Sequence, residues 1–255
     1  MDVASYVPSY FFLQMLPILQ QLPPQKLPKV IFLDAMGTLF DLNRSVSEIY
    51  QQFASQYGVD VSIEPLEKAF INSFKSAPPL AFSINELAVI KQQEFDWWKQ
   101  VVLSTFNKLE LLSEFTDFDA FFTEIYIYFG KKEPWYILPG TVESLTRWRD
   151  RGIELGVISN FDSRLIEVLN HLDLDRFFSS ITISSIAGFA KPEPNIFEIA
   201  LSKHKIASDR AWHIGDNLTE DYHGAKNAGL TAFWLNYGEH LLNIENQLPN
   251  LCSLG

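Results

Sequence analysis

Val30-Ile31-Phe32-Leu33-Asp34-Ala35-Met36-Gly37-Thr38-Leu39 is the stretch whose reading decides the fold. Four apolar residues in a row suit a strand buried on both faces, as in a parallel sheet. The run ends on a carboxylate and opens into a turn containing glycine. In open α/β folds ligands bind at the carboxyl edge of the sheet, so Asp34 is a candidate nucleophile. Taken alone, a strand-end aspartate is as readily a turn or cap residue. Later segments shift that balance.

Downstream of Pro134 the chain alternates between short apolar strands and helices. Helices are predicted over 141–151, 163–172, 195–204 and 219–228, and strands over 154–159, 181–184, 211–215 and 231–235. That order predicts a parallel, Rossmann-like α/β core with right-handed crossovers. Between the first turn and that series, residues 41–132 carry helical periodicity and little alternation. Helices are expected over 45–57, 63–76, 84–106 and 117–129, broken by Pro78-Pro79 and the turn near Leu112-Ser113. The domain reading is therefore an N-terminal extension (1–28), a core of 29–40 plus 133–255, and an inserted helical cap (41–132).

Each core strand delivers polar groups to one edge. One strand ends at Ser159-Asn160, a hydroxyl and an amide suited to an anionic oxygen. Lys191 lies in Gly188-Phe189-Ala190-Lys191-Pro192-Glu193-Pro194. Trp212-His213-Ile214-Gly215-Asp216-Asn217 brings a second carboxylate to a strand end, and Asp221 opens the next helix. Singly these are turn residues, a surface lysine and helix caps. Together, Asp34, Asp216 and Asp221 would repel one another unless a cation joined them, and hard oxygen ligands suit Mg²⁺. Mg²⁺ held by one or two carboxylates takes a phosphate oxygen as a further ligand, which points to phosphoryl transfer.

Composition describes an ordinary soluble globular protein. The chain has 255 residues, 47% hydrophobic, with a net charge of −11, a pI near 4.9 and a mean hydropathy of +0.01. With no basic block, binding to nucleic acid or anionic lipid is disfavoured. No apolar run reaches the roughly 20 residues of a membrane helix. A single cysteine, Cys252, rules out an internal disulfide and suits a reducing, cytoplasmic setting. The apolar start, 10–19, lacks a basic flank and a small-residue cleavage site, so export is not expected, and Met15 is an alternative start.

In order, Asp34 to Leu39, Ser159-Asn160, Lys191-Pro192 and Gly215-Asp216 to Asp221 resemble the four motifs of the haloacid dehalogenase-like (HAD) hydrolase superfamily. The insertion after the first motif resembles its C1 helical cap, as in subfamily IA. Phe95-Asp96-Trp97-Trp98, Pro134-Trp135, Ser159-Asn160-Phe161-Asp162 and His213-Ile214-Gly215-Asp216 resemble the REG-2-like, HDHD3-type branch. The resemblance implies Asp34 as nucleophile and metal ligand, passing through an aspartyl-phosphate. It implies Ser159 on the phosphoryl oxygens and Lys191 holding nucleophile and phosphate together. Thr38 and Asn160 join these two at the substrate, a small phosphorylated metabolite. The Mg²⁺ site would draw on Asp34, the Met36 carbonyl, Asp216 and Asp221.

One position departs from that pattern. HAD phosphatases carry a second aspartate two residues after the nucleophile, as general acid and base, and here it is Met36. General acid-base help is worth about 100- to 10,000-fold, so hydrolysis should favour a leaving group that needs no proton. L-2-haloacid dehalogenases also lack that aspartate, but need no metal and do not carry Gly215-Asp216. A phosphonate hydrolase would need a cap lysine, Lys68 or Lys75, and both read better as surface charges. A third alternative is a pocket that binds phosphate without turnover.

Within the cap, 95–129 is dense in aromatic residues, most of them expected in its core. Any that face the cleft would favour an apolar or ring-bearing leaving group over a sugar. Asn43 and Arg44 are placed at cap closure or on the surface. His213 is read as a strand residue packed against its neighbours, and His204, His223 and His240 show no ligand spacing.

Overall fold

The computed structural model describes residues 27–84, 86–238 and 244–255. The N-terminal lead, with Met15, and His240 lie outside them. β1 (Val30–Leu33) is buried along its whole length. It is the third strand of a six-stranded sheet with neighbouring parallel partners β4 (Glu154–Ser159) and β6 (Ala211–Gly215). Beyond them lie β5 (Ser180–Ile183) on one side, and β7 (Thr231–Leu235) and β8 (Gln247–Leu248) on the other. The chain runs outward from β1 through β4 to β5, then crosses back to β6. The crevice where this direction reverses lies at the carboxyl ends of β1, β4 and β6, the standard ligand position of an open α/β sheet.

Side-chain alternation along β1 divides the core. Ile31 and Leu33 join a cluster with Trp148, Leu155 and Val157. Val30 and Phe32 face the other way, into a cluster with Ile158, Phe197 and Tyr222. Both faces are thus covered, as a parallel sheet requires. α5 (Thr141–Asp150) and α6 (Arg164–His171) supply the first face; α8 (Pro194–His204) and α9 (Gly224–Asn227) supply the second.

The cap holds α1 (Val46–Gln56), α2 (Ile63–Ser76), α3 (Leu87–Asn107) and α4 (Phe118–Tyr128). Ser45 and Glu48 form a reciprocal capping box at the start of α1, and Asp117 caps α4 through Ala120 N at 2.9 Å. The cap has its own aromatic core around Phe106, Phe121 and Phe122. Its base is a ribbon that the sequence pattern does not reveal: β2 (Phe40–Leu42) pairs antiparallel with β3 (Trp135–Ile137). Strands of three residues are too short to show alternation. Asn43 closes this base through Glu133 O at 2.8 Å, whereas Arg44 reaches only Gln52 on the surface.

Two groups of polar contacts tie cap to core. Glu94 of α3 is fully buried, and its carboxylate accepts from Ser163 N (2.8 Å), Ser163 Oγ (2.5 Å) and Ser185 Oγ (2.5 Å). Ser185 belongs to the short α7 (Ser184–Ala187), which the sequence pattern also misses. Beside it Trp98 Nε1 donates to Asp162 Oδ2 at 2.7 Å, and Arg164 grips both oxygens of Asp162 while donating to Tyr126 O at 2.6 Å. Trp98 and Asp162 are among the residues carrying the branch resemblance.

Replacing Glu94 by Ala strands one buried N–H and two buried hydroxyls at about 1–3 kcal/mol each before relaxation. Urea unfolding of Glu94→Ala is expected to show a loss of about 2–4 kcal/mol, with a smaller loss for Glu94→Gln.

Candidate active site

Four chain segments converge at the sheet crevice. Asp34 leaves β1 directly, its N–H tied to Ile214 O at 2.9 Å, so the backbone fixes it against β6. Lys191 enters from the β5 side. Its ammonium, 1% exposed, donates to Asp34 Oδ1 at 2.7 Å and Asp221 Oδ1 at 2.5 Å. Asp221 also accepts from His213 Nε2 at 2.9 Å and from Asn217 N at 3.0 Å. Asp216 follows β6 at the rim, near Thr38, whose hydroxyl is 3.4 Å from Asp216 Oδ1. Ser159 ends β4, buried and paired with Ile183. Asp34, Lys191, Asp216, Asp221, Thr38 and Ser159 therefore share one edge.

Local geometry explains the glycines. Gly37 has a φ of +81°, and a Cβ there would lie 2.6 Å from Asp216 Oδ2. A Cβ on Gly215 would meet Asp221 Cγ at 2.1 Å. The carboxylates thus pack directly against bare backbone. Asp221 is delivered by a π-helical turn, Leu218–His223, rather than by the plain helix expected over 219–228. Asn217 caps that turn through Thr219 N and Glu220 N, each at 3.0 Å. Such bulges are frequent at functional sites because they re-aim one side chain.

Asn160, expected at the substrate, is engaged otherwise. Its amide accepts from Lys191 N at 2.7 Å and donates to Lys191 O at 2.8 Å and Glu220 Oε2 at 3.0 Å. Its side chain clamps the lysine loop. His213, read as a packing residue, does pack against Phe197, yet it also holds Asp221. Glu94 and Glu220 were not legible, because a carboxylate on a helical pattern reads as solvated surface. Lys68 pairs with Glu64 on the exposed face of α2, and Lys75 is exposed there as well.

Three carboxylates face one ammonium. For Lys191, burial works against its charge, but Asp221 and then Asp34 outweigh it and raise its pKa. Burial also opposes charge on Asp221, and Lys191 and His213 reverse that, so its pKa falls. Asp34 is raised by burial, with Lys191 pulling back. Asp216 is pushed up to about 7, by loss of hydration around its carboxyl first and then by Asp34 and Asp221, although its outer edge is exposed. One ligand atom from each of Asp34, Asp216 and Asp221 falls within 4.8 Å of the others. An all-oxygen set with surplus negative charge fits a hard divalent cation. Asp34 and Asp216 are better placed as direct ligands than Asp221, whose oxygens already serve Lys191, His213 and Asn217.

The sequence profile of the haloacid dehalogenase-like hydrolases matches residues 28–229, and the chain belongs to that family of hydrolases. It is 31% identical over 205 residues to haloacid dehalogenase-like hydrolase domain-containing protein 3 of Xenopus laevis, covering 80% of this chain and 83% of that one. A shorter match, 36% over 103 residues, is to a glyceraldehyde 3-phosphate phosphatase of Pyrococcus abyssi, over 40% and 43% of the two chains. Among solved structures, the HAD-hydrolase YfnB of Bacillus subtilis, bound to magnesium, superposes with a TM-score of 0.67 at 15% identity over 90% of this chain and 97% of that one. That likeness is one of fold.

Gly215→Ala is expected to lose about 1–3 kcal/mol in urea unfolding. The cost comes from displacing Asp221, whose carboxylate fills the space that the added methyl would need.

Proposed function

We propose that the chain is a Mg²⁺-dependent phosphatase acting on a small phosphorylated molecule, through an aspartyl-phosphate on Asp34. The observation that carries this reading is the buried Lys191 ammonium between Asp34 and Asp221, with Asp216 alongside at the switch-point crevice. The family and the partial match to a phosphatase support it.

The Asp34 oxygen not held by Lys191 attacks phosphorus in line. Lys191 fixes Asp34 and offsets charge on the transferring group, and the Ser159 hydroxyl binds phosphoryl oxygens. Asn160 and His213 position Lys191 and Asp221. Asp34, Asp216 and the Met36 carbonyl, with Asp221 behind them, would hold Mg²⁺, which neutralises the phosphate and the crowded carboxylates. Met36 cannot donate a proton, so the leaving group departs as an anion or takes its proton from water. The single cysteine, Cys252, suits a reducing, cytoplasmic setting under this reading, and no described helix is long and apolar enough to cross a membrane.

Release of phosphate from acetyl phosphate and p-nitrophenyl phosphate, with and without Mg²⁺, tests the reading. Turnover should need Mg²⁺ and vanish in Asp34→Asn. Met36→Asp should raise kcat on glycerol 3-phosphate by at least about tenfold, the low end of general acid help being about 100-fold. Wild type inert toward both activated substrates overturns the phosphatase, and chloride release from L-2-chloropropionate would then favour the dehalogenase.

Stability should follow the Asp216 proton. Its folded pKa of about 7 lies above its ordinary 3.8, so without metal its contribution is full below about 4 and is lost as the pH rises through 7. Thermal unfolding should therefore show a larger Mg²⁺-induced rise in Tm at pH 8 than at pH 6, and Asp216→Asn should flatten the difference.

A further inference from the structure

Beside the carboxylate crevice, between cap and core, lies a cavity of about 250 Å³. Its walls come from both domains: Phe70, Trp98, Phe122 and Phe129 from the cap, Phe161 from the loop after β4, and Met36 from the turn after Asp34. Arg164 is the one charged residue in the wall. Its guanidinium is matched by Asp162 at 2.6 and 2.8 Å and lies 3.8 Å over the Tyr126 ring, so it presents little free charge to an occupant. A carbohydrate or polyol would leave its hydroxyls without partners here, at about 1–3 kcal/mol each. A ring would not. About 150 Å³ is enough to hold benzene, so this volume takes a one- or two-ring group.

Met36 joins the cavity to the chemistry. It occupies the position that in related phosphatases protonates the leaving oxygen, and its exposed side chain lines the cavity. The leaving group must therefore pass this thioether into the apolar space, with no acid beside its oxygen. An alkoxide leaves poorly without a proton, whereas a phenol-type oxygen, with a pKa near 10 like tyrosine, leaves far more readily. The shape of the cavity and the missing acid select the same chemistry by separate routes.

Resting on the phosphatase reading, we propose that the substrates are aryl phosphates, in which the phosphate is carried on the hydroxyl of an uncharged one- or two-ring aromatic group. Asp34 forms a bond to phosphorus as the P–O bond to the ring breaks. The electron pair stays on the aryl oxygen, which takes a proton from water. A second water then releases inorganic phosphate from Asp34, its proton going to phosphate or solvent.

Steady-state kinetics with Mg²⁺ on 1-naphthyl, phenyl, octyl, glycerol 3- and acetyl phosphates test this. The expected result is a kcat/KM for 1-naphthyl phosphate at least tenfold above phenyl phosphate. Octyl phosphate should compete with it, filling the cavity, yet turn over at least 100-fold more slowly. Acetyl phosphate hydrolysed while neither 1-naphthyl nor phenyl phosphate turns over faster than glycerol 3-phosphate, or octyl phosphate turning over as fast as 1-naphthyl, overturns the aryl class and leaves the phosphatase standing. Ile125→Trp, which narrows the cavity from the cap side, should raise KM for 1-naphthyl phosphate at least tenfold more than for acetyl phosphate. Because that variant could misfold, calorimetry on wild type gives an independent reading. 1-Naphthylphosphonate binding at least tenfold tighter than methylphosphonate supports the ring site, and equal affinities overturn it. Failure to hydrolyse even acetyl phosphate would sink the phosphatase instead, a result distinguishable from either of these.

Discussion

The ammonium of Lys191, lodged between Asp34 and Asp221, is the contact on which the rest of the site depends. Without it two buried carboxylates would face each other at the end of β1, and burial would drive protons onto them. With it, Asp221 remains ionised and Asp34 is held at a fixed angle to the crevice. Much of the surrounding chain serves that lysine. Asn160 binds its backbone from both sides, His213 and Asn217 steady Asp221, and Gly215 gives Asp221 the room to come so near. An isolated buried ion pair is a weak source of stability, but one with each partner further hydrogen-bonded sets geometry.

The remaining negative charge gives the site its direction. Lys191 pairs with two of the three carboxylates, and Asp216, out at the rim, is left with the raised affinity for protons that marks a place for a cation. Charge is concentrated at the sheet edge while the adjoining cavity is walled by rings and aliphatic chains, so two opposite environments lie side by side. Met36 stands at that boundary.

The core was legible because its signals were local and periodic. β1, β4, β6 and β7 follow from short apolar runs ending in polar turn residues, and the strands at 154–159, 211–215 and 231–235 fall at the expected bounds. The ends of β1, β4 and β6 then bring Asp34, Ser159 and Asp216 together by topology alone. What was not legible depends on pairing across long separations. Phe40–Leu42 and Trp135–Ile137 become strands only because each finds the other. The π-helical turn at 218–223 carries Asp221 to Lys191, a contact that no local propensity records. Glu94 looked like any helical surface residue, and its burial arises from the serines of a different domain.

The buried members of the cap's aromatic cluster are distinct from those of the two clusters flanking the sheet, and the domains meet through the ribbon, the Glu94 and Asp162 contacts and the shared cavity. Inherited changes in the cap can therefore accumulate without disturbing the Lys191 arrangement, because nearly all the residues shaping the cavity lie outside it. Gene duplication followed by drift in four helices would yield paralogues with new preferences and an unchanged reaction centre. In such a lineage, position 36 is the point where the two histories must stay compatible, since one side chain there belongs to both.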